Sequence, residues 1–591
     1  MIQNPIFKGF NPDPCVCRKG DDYYAAVSSF EWFPGIPIYH SKDLKNWELY
    51  THVLTDDKEV DLKKLPSAKG IWAPCLTYCK EEDLFYVVYG VMNSMNARYF
   101  DVDNFVITAK DIKGPWSKPV YLHSSGFDAS MFHDDDGKKY VVSLEWETRA
   151  GYEKPGFISI VEYDPVKKEI VGYPRPMWRG GTDRGCIEAP HLTKRGGYYY
   201  IMCAEGGTGY EHMVTMARSR SIWGPYEEDP GNPVLTSDVD NPEKLQKCGH
   251  ADLVCTQNGE WYMVHLCGRP PKGSRQCVLG RETAIQKMVW NEEGWLRLAC
   301  GGRFGQWETE EPTGIQEYLF PEEEGKDYGK EDFDLEIADS AGNNETAKNA
   351  DIAETLSKTK EYLNEKNAVD EEGNKKLSMP VKKTSALLDV RYTSLRQPYD
   401  SYTSLTERPG YLRLYGQESL NSCYNVSLVA RRQQERHVQV ETCVEFAPTC
   451  REQMAGLAYM YDTGNFYLLV KTREEEFGSQ TLDLKKPAKL RLIKSDHFDV
   501  EDVIPAISIP EEGPIYLRVT TIQEGLYAKF FYSLDGKDYQ ELAEVPTNIL
   551  TDEQSDGFTG AHFGMYCHDM TGGRRYADFD YFEIVKTRKE Q

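Results

Sequence analysis

A short aromatic-rich segment recurs five times in the first half of this 591-residue chain. Each copy is a turn of Gly, Asn or Asp residues followed by about five strand-forming residues. The copies read GDDYYAAVS, EDLFYVVYG, DGKKYVVSL, RGGYYYIMCAE and NGEWYMVHL, and their aligned tyrosines are Tyr24, Tyr86, Tyr140, Tyr199 and Tyr262, which lie 54 to 63 residues apart. Five all-β units of similar length predict a five-bladed β-propeller, and a β-sandwich with similar hairpins is the alternative.

Five further residues share one position in this repeat, 11 to 14 residues before the aligned tyrosine. They are Asp13, Trp72, Asp128, Glu188 and His250. In a propeller this position belongs to the innermost strand of each blade, which faces the central channel. We therefore expect five separate segments to bring these side chains to one place.

Two carboxylates that flank a glycosidic bond are the minimum equipment for its hydrolysis. One is protonated beside the leaving oxygen and the other is ionised beside a water, while a third nearby raises the pKa of the acid. Asp13, Asp128 and Glu188 match these roles. Taken alone, Asp13 would also be explained as a turn residue, Asp128 as the cap of a local turn and Glu188 as an ion-paired glutamate. His250 is a candidate partner for a carboxylate, a water or a metal ion, and Trp72 is a candidate wall for a sugar ring.

Seven motifs between residues 4 and 300 resemble glycoside hydrolase family 43, in particular its β-xylosidase and α-L-arabinofuranosidase branch. In chain order they are GFNPDPCV, SSFEWFPGIPIYHSKDLKNW, GIWAPCL, GFDASMFHDDDG, IEAPHL, GHADLV and LGRETAIQ. The resemblance implies a five-bladed propeller and hydrolysis with inversion in a single displacement. It also assigns roles by motif match, with Asp13 as general base, Glu188 as general acid, and Asp128 as the residue that tunes and orients Glu188.

The resemblance further implies a set of substrate contacts around these carboxylates. The aromatic residues are expected to wall the pocket, and the polar ones are expected to contact the sugar or the carboxylates. The implied contacts are Phe30, Trp72, Phe127, Thr208, His250 and Arg281.

The composition of the chain changes after about residue 318, so we assign the propeller to residues 1–318. Residues 319–383 are acidic and Lys-rich with few aromatics, which predicts a linker or surface insertion that is partly helical or disordered. From residue 384 to 591, segments such as VQVETCVEF and AGLAYMYDTGNFYLLVK alternate with period two and predict a β-sandwich of the concanavalin or laminin-G kind.

The branch that the chain resembles uses such a sandwich to close the active site with an aromatic residue. The matching stretch is DGFTGAHF, so Phe558 is the candidate and Phe563 is the alternative. A pocket closed in this way favours exo-action on chain ends. Asp332 and Asp578, at the start and end of this domain, are candidate ligands of Ca²⁺, and two solvated aspartates are the alternative.

The net charge and the search for targeting signals bear on nucleic-acid binding, membrane insertion and secretion. The net charge of −25 and the pI of about 5.1 argue against nucleic-acid partners. We find no apolar run long enough for a membrane span and no secretory signal, and the 15 Cys show neither a CxxC pair nor a Cys/His cluster with zinc spacing. We therefore expect reduced thiols in a cytoplasmic bacterial protein.

These observations predict an exo-acting β-1,4-xylosidase for xylo-oligosaccharides or arabinoxylan fragments. An α-L-arabinofuranosidase or a bifunctional enzyme is the close alternative, because the two sugars overlay at the reacting centre. A non-catalytic carbohydrate-binding protein is the remote alternative. The chemistry requires no cofactor, although Ca²⁺ would suit a structural or activating role, and a homo-oligomer is compatible with the sequence.

Overall fold

The computed structural model describes residues 1–96, 100–151, 156–241, 243–320, 328–333, 384, 387–474, 487–555 and 557–587. The described residues are nearly all β-structure, with one short α-helix, α1 (Asp552–Ser555), and three 3₁₀ turns at Tyr399–Ser401, Gln523–Gly525 and Asn548–Leu550. The insertion predicted at 335–383 lies outside the described residues. No helix within them has the length and apolar composition needed to cross a membrane.

The first half of the chain forms five antiparallel sheets, each built from one continuous segment. Strand β1 (Ile2–Gln3) precedes them. Blade 1 contains β2 (Cys15–Lys19), β3 (Asp22–Ala26), β5 (Gly35–Ser41) and β6 (Glu48–Leu54), with β4 (Trp32–Phe33) outside it; blade 2 contains β7 (Gly70–Cys79), β8 (Leu84–Ser94), β9 (Asp101–Ala109) and β10 (Val120–His123); blade 3 contains β11 (Phe127–His133), β12 (Lys139–Glu145), β13 (Phe157–Asp164) and β14 (Glu169–Trp178). Blade 4 contains β15 (Glu188–Arg195), β16 (Tyr198–Glu205), β17 (Met213–Ser219), β18 (Glu227–Glu228) and β19 (Leu235–Thr236), and blade 5 contains β20 (Gln246–Cys255), β21 (Trp261–Gly268), β22 (Glu282–Trp290) and β23 (Leu296–Leu298).

The repeat read from the sequence corresponds to one hairpin per blade. All five aligned tyrosines lie in the second strand of their blades. The first strands of adjacent blades pack against one another, which makes them the innermost strands of a closed ring. The predicted five-bladed propeller is therefore confirmed.

Each innermost strand contains or directly follows a residue with left-handed backbone. These residues are Asp13, Ala73, Asp128, Ala189 and His250, with φ between 38° and 56°. In blades 2 to 5 the register with the second strand also shifts there, as at a β-bulge. Non-Gly residues in this conformation are strained, and bulges redirect side chains. The strain recurs at the position where the sequence predicted the functional groups.

The propeller ring closes through its N-terminal segment. Strand β1 pairs with β24 (Glu308–Thr309), and Phe7 exchanges two backbone hydrogen bonds of 3.1 Å with Thr283 of β22. The buried side chain of Asn4 donates to the carbonyls of Ile285 at 2.7 Å and Gln306 at 3.0 Å and accepts from the Ile285 N–H at 2.8 Å. These contacts join the N-terminal segment and the segment after blade 5 to β22, and so fix both ends of the propeller at the seam.

The second half of the chain is a sandwich of two antiparallel sheets around a single apolar core. One sheet contains β25 (Gly329–Glu331), β27 (Thr403–Ser404), β28 (Leu412–Tyr415), β30 (Val438–Glu445), β36 (Ile515–Ile522), β37 (Tyr527–Ser533), β38 (Gln540–Pro546) and β40 (Tyr576–Lys586). The other contains β29 (Ser427–Arg432), β31 (Gln453–Met460), β32 (Phe466–Thr472), β33 (Ala488–Asp496), β34 (Asp499–Asp502), β35 (Ile507–Ile509) and β39 (His562–Asp569). This confirms the predicted sandwich, and β25, inside the range assigned to the linker, already pairs with β40.

The two domains share a strand pair and an apolar core. Strand β26 (Ser394–Leu395) pairs with β4, and the buried Arg396 guanidinium donates to the Leu65 carbonyl at 2.7 Å. One cluster of buried side chains contains residues of both domains, such as Trp32 of the propeller and Tyr566 of the sandwich. This packing holds the sandwich against the face of the propeller that carries the strained residues.

We expect Asn4→Ala to lower the free energy of unfolding by about 1–3 kcal/mol, because it leaves a buried N–H and two buried carbonyls without their partner. Urea unfolding followed by tryptophan fluorescence measures this change. Asn258→Ala is the control, because the Asn258 side chain is exposed and makes one hydrogen bond of 2.7 Å to Thr313. It should cost less than about 0.5 kcal/mol. Equal losses for both variants would contradict a role of Asn4 in closing the ring.

Candidate active site

The inner strands and a loop of the sandwich enclose one cavity of about 210 Å³. Every residue that we singled out for catalysis or substrate contact lines it, namely Asp13, Phe30, Trp72, Phe127, Asp128, Glu188, Thr208, His250, Arg281 and Phe558. The alternative to Phe558 is not among them, because Phe563 is fully buried in the sandwich core and stacks on Tyr459 at 4.2 Å. The structure thus brings together in one place residues that are spread over more than 500 positions of the chain.

Asp13 is buried and held by polar groups of blades 1 and 5. Its Oδ2 accepts from Ser28 Oγ at 2.7 Å, and its Oδ1 accepts from Arg281 Nη1 at 2.8 Å. Burial opposes ionisation of this carboxyl, but the charge of Arg281 and the Ser28 hydrogen bond outweigh it, so the pKa of Asp13 lies below its ordinary value. Burial lowers the pKa of His250 to about 4, so that ring is neutral at neutral pH and Arg281 supplies the positive charge.

The pKa values of the other two carboxyls, Asp128 and Glu188, lie above their ordinary values. Burial, followed by repulsion from Asp128 and Asp13, raises the pKa of Glu188 well above its ordinary value. Burial and then the charge of Asp13 raise the pKa of Asp128 to about 7, although the Ala189 N–H donates to its Oδ2 at 3.2 Å. The pocket therefore contains one carboxylate that stays ionised and one carboxyl that keeps its proton near neutral pH.

His212 gives a second reason for Glu188 to keep its proton. The Nδ1 of this fully buried ring lies 3.1 Å from the Lys247 carbonyl, which can only accept, so Nδ1 carries the hydrogen. The Nε2 atom is then a lone-pair acceptor, and it lies 3.7 Å from Glu188 Oε1. Burial lowers the pKa of His212 to about 3, so the ring stays neutral and favours a neutral Glu188 beside it.

Arg281 connects the catalytic carboxylate, the pocket rim and the sandwich domain. Besides Asp13, it donates to Thr208 Oγ1 at 2.9 Å and to the Phe558 carbonyl at 2.7 Å. Its buried Nη2 makes no hydrogen bond to any described residue. A buried guanidinium N–H without a partner is costly, so the free energy of this site favours a group that would accept from it.

Aromatic side chains form the walls. The ring of Phe558, projecting from the loop after α1, makes edge contacts with Phe30 at 5.6 Å and Trp72 at 5.5 Å. On the next side, Phe127 packs edge-on against Trp72 at 5.9 Å. The residue from the sandwich thus completes an apolar enclosure begun by the first three blades.

Sequence reasoning missed several members of the site. Phe100 and Trp146, whose rings stack at 4.9 Å, line the cavity together with Met95 and Cys186. None of these holds the repeat position that identified the catalytic groups, so no periodic signal marked them. Ser28 did lie in a motif already noted, SSFEWFPG, and His212 stands four positions after Thr208.

The two aspartates named as candidate Ca²⁺ ligands are paired with basic side chains of the described residues. Both Asp578 oxygens accept from arginines, Oδ1 from Arg413 Nε at 2.7 Å and Oδ2 from Arg408 Nη1 at 3.1 Å. Asp332 pairs with Lys330 at 2.5 Å. His250 faces the catalytic pocket, with its Nδ1 3.6 Å from Asp13 Oδ1. Carboxylates already neutralised by arginine and lysine are poor ligands for a hard cation.

Two family models match the chain in the order of its domains. One, described as "Glycosyl hydrolases family 43", matches residues 2–296, and one described as "Beta xylosidase C-terminal Concanavalin A-like domain" matches residues 384–585. The first contains Asp13, Asp128, Glu188 and Arg281, and the second contains Phe558. The matches agree with the motifs from which the resemblance was drawn.

Individual relatives match over nearly their full length. The Beta-xylosidase of Bacillus subtilis (strain 168) is 39% identical over 98% of this chain and 99% of its own. Xylosidase/arabinosidase 43B of Humicola insolens is 37% identical over 98% of this chain and 97% of its own. The crystal structure of xylan beta-1,4-xylosidase from Bacillus halodurans C-125 superposes with a TM-score of 0.84 at 39% identity, covering 99% of this chain and 100% of that one.

The electrostatics of Asp13 lead to a pH prediction for glycoside hydrolysis. In Arg281→Gln the burial of Asp13 is no longer opposed by a positive charge, so the pKa of Asp13 should rise. Because Asp13 must be ionised to act, the acidic limb of the kcat/KM profile should move to higher pH by about 1–3 units. Arg491→Gln, which removes a surface cation paired with Asp502, is the control and should leave the limb in place. An unmoved limb in Arg281→Gln would show that another group controls it.

Proposed function

Because this chain belongs to glycosyl hydrolase family 43, we propose that it removes single xylose units from the non-reducing ends of β-1,4-linked xylo-oligosaccharides. The observation that carries this proposal is the opposite displacement of two carboxyl pKa values, Asp13 downward and Glu188 upward, in one small pocket. Such a pair supplies a base and an acid at the same pH, which hydrolysis of a glycoside requires.

The reaction we propose is a single displacement. Asp13 accepts a proton from a water, which attacks the anomeric carbon on the face opposite the leaving group. Glu188 donates its proton to the leaving oxygen as the glycosidic bond breaks. Inverting enzymes hold these carboxyls about 6.5–9.5 Å apart, so that the water fits between the base and the sugar. The xylose that is released would then be the α-anomer.

The groups around the pair support these roles. Burial and the neighbouring carboxyls of Asp128 and Asp13 keep the Glu188 acid protonated, while the neutral His212 offers that proton a nearby acceptor atom. Arg281 keeps Asp13 ionised, and its Nη2 has no partner among the described residues, so a sugar hydroxyl that reached it would find an unused donor. The base and the acid are therefore held in different protonation states by different neighbours.

The enclosure supports exo-action. Phe558 from the sandwich closes the pocket against Phe30 and Trp72, and the cavity of about 210 Å³ is small for anything beyond one sugar ring and its linkage. A chain would enter with its end first, because an internal unit would have to pass through the Phe558 wall. Aromatic walls suit the apolar faces of a pentose that carries no exocyclic CH₂OH group.

An α-L-arabinofuranoside is the second candidate substrate. The Humicola insolens relative is named a xylosidase/arabinosidase, and its similarity covers both domains. Specificity for one of two pentoses rests on hydrogen bonds at individual hydroxyls, because aromatic walls discriminate such similar rings weakly. We place β-xylosides first and arabinofuranosides second.

Product analysis tests the proposal directly. Incubation with xylobiose, followed by ¹H NMR from the first turnovers, should show α-xylose appearing before mutarotation produces the β-anomer. In parallel, 4-nitrophenyl β-D-xylopyranoside should be hydrolysed with a higher kcat/KM than 4-nitrophenyl α-L-arabinofuranoside. Initial release of β-xylose would refute inversion, and faster hydrolysis of the arabinoside would reverse the order of the two substrates.

Substitution of the two carboxyls should separate acid from base. Glu188→Gln should reduce turnover of xylobiose by about 10²–10⁴-fold, and that of an aryl xyloside with a good leaving group far less, because such a group departs without protonation. Asp13→Asn should reduce both by similar factors, because every substrate needs the activated water.

Glu227→Gln, an exposed position on the same blade as Glu188, is the matched control and should retain full activity. If Glu188→Gln lost both activities equally, Glu188 would not be the general acid. Circular dichroism of each variant would show whether the fold is retained.

A further inference from the structure

A second set of polar side chains lies in the propeller channel next to the catalytic set. In each innermost strand it stands two positions after the left-handed residue, and its members are Cys15, Cys75, Ser130, His191 and Asp252. Cys15 follows Asp13, and Cys75 follows Ala73 in this way. The offset of two positions from the left-handed residue is the same in all five blades, so the strands that bring the catalytic groups to the channel also bring this second layer to it.

Four of these residues are in contact although they come from four different blades. Cys15 Sγ lies 2.9 Å from Asp252 Oδ2, and His191 Nδ1 lies 3.4 Å from Asp252 Oδ1. Among the described residues, this set includes a cluster of the kind that holds a metal ion. It consists of Cys15, Cys75 and His191, and one ligand atom of each lies within 4.8 Å of the other two. Both cysteines are 2% exposed.

The arrangement matches the demands of a thiophilic cation. Zn²⁺ binds thiolate sulfur at about 2.3 Å and imidazole nitrogen at about 2.0–2.1 Å with tetrahedral angles, so its ligand atoms lie roughly 3.3–3.8 Å apart. The ligand atoms of Cys15, Cys75 and His191 lie within 4.8 Å of one another, which is about 1 Å wider than this spacing. Sulfur and nitrogen ligands exclude Ca²⁺ and Mg²⁺, which require oxygen.

Asp252 has the place of a supporting group rather than of a ligand. Its Oδ2 also accepts from the Val16 N–H at 2.9 Å and its Oδ1 from the Leu253 N–H at 2.8 Å, so the carboxylate is fixed by backbone on two sides. From there it faces His191 Nδ1. A carboxylate behind a histidine orients the ring and raises its basicity toward a metal on the other nitrogen.

We propose that Cys15, Cys75 and His191 form a Zn²⁺ site in the propeller channel, with Asp252 positioning His191 and a water completing the tetrahedron. Binding requires both sulfurs as thiolates and a neutral His191, and the protons that these groups give up go to solvent. The ion would join blades 1, 2 and 4 directly and blade 5 through Asp252, one layer away from the catalytic carboxylates. The ligands are 60 and 116 positions apart, so no linear zinc motif marks them in the sequence.

Metal binding by the full-length chain tests this proposal without reference to glycosidase activity, so its failure and that of the proposed function are distinguishable. After EDTA treatment and dialysis, titration with Co²⁺ should saturate at one equivalent. It should produce sulfur-to-cobalt charge-transfer absorption and the visible bands of tetrahedral Co²⁺, and Zn²⁺ should displace both. Absence of the charge-transfer band at saturation would overturn the proposal in the unmodified chain.

Variants then assign the ligands. Cys15→Ser and Cys75→Ser should each lose the charge-transfer band or bind Co²⁺ at least about tenfold more weakly, and Asp252→Asn should weaken binding by about 10–100-fold. Cys443→Ser, a cysteine of the sandwich that is 3% exposed, is the matched control and should bind as the unmodified chain does. Unchanged binding in Cys75→Ser, or a Cys15–Cys75 disulfide found by mass spectrometry in the metal-free chain kept under reducing conditions, would also overturn it.

Discussion

The ion pair of Arg281 and Asp13 is the contact on which the rest of this structure depends. Both groups are buried, so each would be costly alone, and the 2.8 Å contact between them offsets that cost. The pair forms only if blade 5 lies beside blade 1, which requires a closed ring. The same guanidinium also donates to the carbonyl of Phe558, so the position of the sandwich is coupled to the charge of the catalytic base.

The ring geometry explains why one small region contains all of the chemistry of this glycoside hydrolase. Five inner strands surround a common axis, and a strained residue in or just before each of them is, or directly follows, the residue whose side chain lines the pocket. The carboxyls brought together in this way repel one another in a dry environment. Asp13, which lies beside Arg281, has a lowered pKa, while the pKa values of Glu188 and Asp128 are raised. The acid and the base therefore differ because the three carboxyls lie close together and the Arg281 cation lies beside only one of them.

Much of the fold could be predicted because its signals are local or periodic. Turn residues followed by aromatic strands gave the blade count, since a hairpin depends on its own few residues. The shared position before Tyr24, Tyr140 and Tyr199 pointed to Asp13, Asp128 and Glu188, because a repeated strand places equivalent residues at equivalent points of the ring. Phe100, Trp146 and His212 escaped notice because they reach the site from irregular segments that carry no period.

By itself, the sequence determined the five-bladed propeller, the sandwich after it, the family and the residues at the shared repeat position that meet in the channel. Only the tertiary structure decided which protonation state each carboxyl adopts, because that depends on burial and on a cation 268 positions away from Asp13. It also decided that Phe558 rather than Phe563 faces the cavity, since both aromatics stand in the same motif. Most clearly, it brought Cys15, Cys75 and His191 within reach of one another, a proximity that no spacing in the chain displays.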